Sequence, residues 1–179
     1  MRIVCRFICV LAMGMIIESG NATLASAKTV EAGDVSTSWI GTGETHDLPD
    51  GGQVIHATVR GALIVRHFKG ESEKKHVHTA ELMCSIRVTV NAKQNQRGEI
   101  GLCTVFAHAG KDIGYGQWKC DGGLSECEGD FTFTHGTGGW AGISGTTPMF
   151  NRIIFEKMEG EKARAVGYAS WPNLTYTLP

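Results

Sequence analysis

Apolar and polar residues alternate along most of this chain with a period of two. That is the spacing of a strand with one face on a core and one in water. The pattern is plainest in Gln53–Phe68, where Ile55, Ala57, Val59, Leu63 and Val65 share one parity. His56, Thr58, Arg60 and Arg66 take the other, and Gly61 marks a predicted bend or bulge. Leu82, Cys84, Ile86, Val88 and Val90 repeat the alternation within Val77–Val90, and Glu99–Ala109 follows after the polar turn Asn91–Gly98. Further strands are predicted at Val35–Gly43, Ile113–Cys120, Phe131–His135, Pro148–Met158 and Ala163–Trp171, with Leu174–Leu178 as a closing strand. Lys28–Ser36 reads as a loose start, Glu44–Gly52 as a turn, and Lys69–Lys75 as a charged loop. No stretch keeps a helical period beyond a turn near Ala141–Ser144. About seven to nine strands joined by short turns describe an all-β domain, and the run of sequential hairpins favours an up-and-down barrel over a sandwich.

The centre of the pattern is Phe131–Gly145. Phe131, Phe133 and His135 alternate with Thr132 and Thr134, and Gly136, Gly138, Gly139, Gly142 and Gly145 follow. Glycine reaches positive φ without strain, so the segment is expected to turn tightly into the next strand. Trp140 and Ile143 then plug the turn onto the domain.

Composition narrows the class. The chain has 179 residues, and its 42% apolar content suffices for one core. A formal charge of −1 with interspersed signs, and no basic stripe, argues against nucleic acid as a partner. Residues 1–27 read as a signal peptide: Arg2 and Arg6 precede the apolar run Ile8–Ile17, and Ala25-Ser26-Ala27 supplies a cleavage site. The run is about half of the ~20 residues a spanning helix needs. The domain is therefore expected to occupy 28–179, periplasmic or secreted, with a charge of −2 and no membrane as a partner after cleavage.

Four cysteines remain, an even number that fits disulfides in an exported chain. A hairpin register that sets Cys84 opposite Cys103 also sets Leu82 on Val105 and Ile86 on Gly101, a consistent apolar face. Cys120 and Cys127 flank Asp121-Gly122-Gly123 and are placed to close a small loop. The expected bridges are Cys84–Cys103 and Cys120–Cys127. The rival, a zinc site, lacks any C-x-x-C knuckle.

The run Phe131-Thr-Phe-Thr-His-Gly-Thr-Gly-Gly-Trp-Ala-Gly-Ile-Ser-Gly145 resembles the strand–turn–strand signature of allene oxide cyclases and dirigent proteins. In that signature a strand ends in Gly-Gly-[Ser/Thr]-Gly, then an aromatic, a small residue and Gly. Here His135 takes the first glycine position and Trp140 stands where Phe is usual. Thr45-His-Asp-Leu-Pro-Asp-Gly51 and Trp118-Lys-Cys120…Cys127-Glu-Gly look like exported bacterial proteins of the same superfamily. The resemblance implies a calycin-like, eight-stranded antiparallel barrel, often a dimer or trimer, with an apolar cavity. Its members cyclise an epoxide fatty acid, guide radical coupling or catalyse other ring closures. None of their catalytic residues maps onto this chain residue by residue.

The residues that carry candidate chemistry are few. Phe106, Tyr115, Trp118, Phe131 and Phe133 are the candidates to line a cavity, though ordinary core packing uses the same residues. His76 and His78, two apart on a strand, point the same way and are weak metal candidates, but no third ligand is locally fixed, though a carboxylate such as Glu81 could be one. Arg87, Glu81, Glu99 and Asp130 lie on or beside strands, where an inward charge is costly unless used. Arg87 falls on the solvent parity. Ser144 lacks the G-x-S-x-G spacing of a nucleophile elbow. The expected function is a barrel binding a small apolar molecule without a cofactor. A cofactor-free cyclase or isomerase, and a structural protein, are the alternatives. A cavity lined only by aliphatic and aromatic groups would favour binding, one inward carboxylate or Tyr with a perturbed environment the enzyme, and a barrel filled solidly by side chains the structural role.

Overall fold

Alternation runs through eight strands, and closure of the sheet decides which face becomes the inside. The computed structural model describes residues 27–65 and 79–179. The strands are β1 (Lys28–Asp47), β2 (Gln53–Val65), β3 (Thr79–Asn91), β4 (Gln96–Ala107), β5 (Asp112–Gly122), β6 (Glu126–Thr137), β7 (Gly145–Glu159) and β8 (Lys162–Leu178). Each pairs antiparallel with its neighbours in sequence, and β8 returns to β1, so the sheet is a closed up-and-down barrel without an edge. Residues 1–26 of the expected signal peptide and the expected Lys69–Lys75 loop lie outside the described residues, as do His67, His76 and His78. Among the described residues no helix is long and apolar enough to cross a membrane.

The interior is filled by aromatics laid over glycines. Trp118 faces Gly101 across the β4–β5 pair, and a Cβ on Gly101 would stand 2.0 Å from its indole nitrogen. Trp39 lies against Gly167 in the same way, where a Cβ would stand 2.2 Å from its ring. Phe131, Phe133, Trp140 and Trp171 complete the packing, and Phe131 meets Phe133 and Trp171 edge-on. The hairpin register is the expected one: Cys84 faces Cys103, Leu82 faces Val105 and Ile86 faces Gly101. Both expected disulfides are present, Cys84–Cys103 across β3 and β4 and Cys120–Cys127 between β5 and β6.

Three local expectations are corrected. Lys28–Ser36 is not a loose start but the first half of β1, paired with the end of β8, because closing the barrel gives that segment a partner. Gly61 makes no bulge: the register runs through it without a shift, and it instead leaves room for Thr37 and Trp39. His135 does not share the face of Phe131 and Phe133. A bulge sets in between Tyr115 and Gly116, leaves Thr134 as the extra residue, and turns His135 outward onto Tyr115. The glycine-rich turn behaves as expected, with a 3₁₀ turn at Gly138–Trp140, positive φ at Gly138 and Gly142, and Trp140 and Ile143 buried beneath it.

Candidate functional site

Parity carries two charged side chains into the barrel. Cys103 faces inward, so Gly101, Glu99 and Arg97 on β4 do as well, and both charges are buried: Glu99 is 3% exposed and Arg97 6%. They sit toward the end of the barrel that carries the Asn91–Gln96, Gly122–Glu126 and Glu159–Lys162 turns. Arg97 Nε donates to Glu99 Oε1 at 2.5 Å. Asn151 Nδ2, from β7, donates to Glu99 Oε2 at 2.9 Å, and Trp39 Nε1 donates to Asn151 Oδ1 at 2.8 Å. Arg97 also reaches the Glu156 carboxylate at 3.3 and 3.4 Å. One guanidinium thus lies between two carboxylates, and the trio carries a net negative charge.

Isolated buried charges are strongly unfavourable, and this set offsets that cost by pairing and by hydrogen bonds to both Glu99 oxygens. A hydrophobic set of similar size would hold a barrel together at least as well.

Beside it lies a cavity of about 50 Å³, walled by Trp39, Trp118, Phe131, Met149 and Trp171 and by the small residues Gly41, Gly43, Ala163 and Ala165. That is room for a few water molecules, well short of the roughly 300–1,000 Å³ of drug-sized pockets. Glu156, on the last turn-ward stretch of β7, stands at its rim with its side chain 29% exposed. Trp171 buries an indole N–H that finds no acceptor among the described residues. At the opposite end Phe133, Trp140 and Tyr176 close the barrel, around a second cavity of about 50 Å³. Burial pushes the Tyr176 hydroxyl up from its ordinary range.

The structure divides the five aromatic candidates. Trp118 and Phe131 line the cavity beside Glu99, and Phe133 lines the second one. Phe106 and Tyr115 fall on the outward parity and line neither: Phe106 is on the outside of β4 and Tyr115 stacks on His135 with centroids 4.3 Å apart. Of the charged candidates, Glu81, Arg87 and Asp130 face solvent and Glu99 alone faces in. Arg97, Asn151 and Glu156 do not stand out in the sequence. The inward parity of Cys103 is the signal that could reveal Arg97, while a bulge between Ile153 and Phe155 hides Glu156 from period-two counting. Glu99, Cys120 and Cys127 also bring ligand-type atoms within 4.8 Å of one another, but both sulfurs are engaged in the disulfide.

Compared with models of known families the chain matches none, and no curated protein matches it either.

Proposed function

We propose that the barrel binds a small, mostly apolar molecule bearing a hydroxyl group, at the end marked by Arg97, Glu99 and Asn151. The observation that carries this reading is the buried, fully hydrogen-bonded Glu99 carboxylate in an otherwise apolar interior. The apolar walls take the body of the ligand. A hydroxyl donates toward the acidic trio and accepts from a donor such as the Trp171 N–H. An anionic ligand is disfavoured by the two carboxylates. The cavity as it stands is too small for an aromatic ring, so binding one requires Glu156 to be drawn away from Arg97, the longest link of the network. Two disulfides and the leader-like first residues support an oxidising, exported setting.

Three of the four tryptophans wall the cavity, so their fluorescence reports its occupancy. Titration with benzyl alcohol, toluene and benzoate is the test. Benzyl alcohol is expected to give a saturable shift, with toluene weaker by about tenfold for the lost charged hydrogen bond, and benzoate silent. Equal responses to all three, or none to benzyl alcohol, contradict the reading.

A second reading shares the site. A carboxylate fixed in a nearly dry pocket stabilises positive charge that develops on a bound substrate. A cofactor-free ring closure or isomerisation makes that demand, and the likeness of Phe131–Gly145 to allene oxide cyclases adds to this reading. Glu99 would then be its charge-stabilising group.

A further inference from the structure

Closure of the barrel also assembles a surface that no run of sequence contains. On the outside of β7, β8, β1 and β2, three rows of cross-strand neighbours lie side by side. Phe155 faces Val166, Val166 faces Ile40, and Ile40 faces Arg60. Toward the Glu99 end, Lys157 faces Arg164, and on the other side Arg152 faces Tyr168. The β7 bulge turns Ile154 outward next to Phe155, so two apolar residues project together. They are well exposed: Ile154 72%, Ile40 64% and Phe155 56%. Grouped exposed apolar side chains of this size mark contact surfaces.

Cations outnumber acids around them. Arg60, Arg152, Lys157 and Arg164 stand on these rows, and among the described residues no outward Asp or Glu does. The acids lie one position out: Glu126 is 4.0 Å from Arg152, Glu159 pairs with Lys157, and Glu44 on β1 faces Lys162. Setting Lys157 directly opposite Arg164 is unfavourable for the sheet by itself, since like charges on facing positions repel. The arrangement makes sense against an anionic partner.

From this we infer that the β7–β8–β1–β2 face docks the protein on an anionic lipid surface. Cations at the level of the headgroup phosphates, with aliphatic and aromatic side chains reaching the acyl boundary, are the pattern of interfacial binding. A second copy of the chain fits less well, because a two-fold contact through this face sets a surface with excess cations against itself. Nucleic acid fits poorly too, because the centre of the patch is largely aliphatic, whereas unpaired bases stack on aromatic rings. The cations come from β2 and from the two C-terminal strands, far apart in the chain, which is why no basic stripe shows in the sequence. This inference runs against the expectation that a membrane is not a partner, and it is independent of the cavity.

The test is flotation of the whole exported protein with phosphatidylcholine vesicles, with and without phosphatidylglycerol. At low salt, binding is expected to rise about tenfold with phosphatidylglycerol and to fall as salt is added. Lys157→Glu with Arg164→Glu is expected to abolish it, and Ile154→Ser with Phe155→Ser to reduce it comparably. Both pairs are exposed, so unchanged thermal unfolding certifies the fold. No flotation, equal flotation with both vesicles, or a dimer in sedimentation that Phe155→Ser dissolves would each overturn the inference.

Discussion

Asp112 fastens two turns at the barrel end opposite Glu99. Its Oδ1 accepts the Gly139 backbone N–H at 2.6 Å, and its Oδ2 lies 2.5 Å from His108 Nδ1. The Gly139 N–H foremost, and then His108, hold the Asp112 carboxyl below its ordinary value. A carboxyl whose folded pKa is depressed contributes stability above its unfolded pKa, and that contribution is lost as pH falls through the folded value. The window therefore lies below about pH 4. Asp112→Ala is expected to cost about 1–2 kcal/mol at neutral pH, and the difference from the parent should shrink as the pH drops through that window. Urea unfolding of both proteins across the acid range measures it.

Cys84–Cys103 ties the β3–β4 hairpin in its register and closes a loop with a sequence separation of 19. Replacing both cysteines by alanine is expected to lower unfolding free energy by about 3 kcal/mol, read from denaturant curves. This hairpin was legible in the sequence because cysteine pairing and apolar parity agree on one register. The ends of β1 were not, since Val30 and Ala32 give a weak apolar signal and only the partner β8 makes that segment a strand. The outward turn of His135 was equally hidden: a bulge shifts parity by one residue, and neither Thr134 nor its neighbours differ chemically from regular strand residues. The candidate site was half legible. Glu99 stood out as a charge on a strand, and counting back from Cys103 gives its direction, but Asn151 and Trp39 join it only across the barrel.

At the scale of the whole molecule, aromatics over glycines fill most of the barrel and leave small cavities at its two ends. One end is sealed by rings, while the other holds a charged network that packing alone does not require. The central claim is that Arg97, Glu99 and Asn151 serve a ligand and not the fold. Unfolding free energies of two variants test it, Glu99→Leu alone and Arg97→Met combined with Glu99→Leu. The single change should cost about 3–5 kcal/mol, because it strips Arg97 of its closest partner inside the barrel. The combined change removes both buried charges and is expected to recover most of that loss, leaving about 1–3 kcal/mol for the buried Asn151 amide, which no longer has Glu99 as acceptor. A combined variant as unstable as the single one would show that the network holds the barrel together, and would contradict the claim.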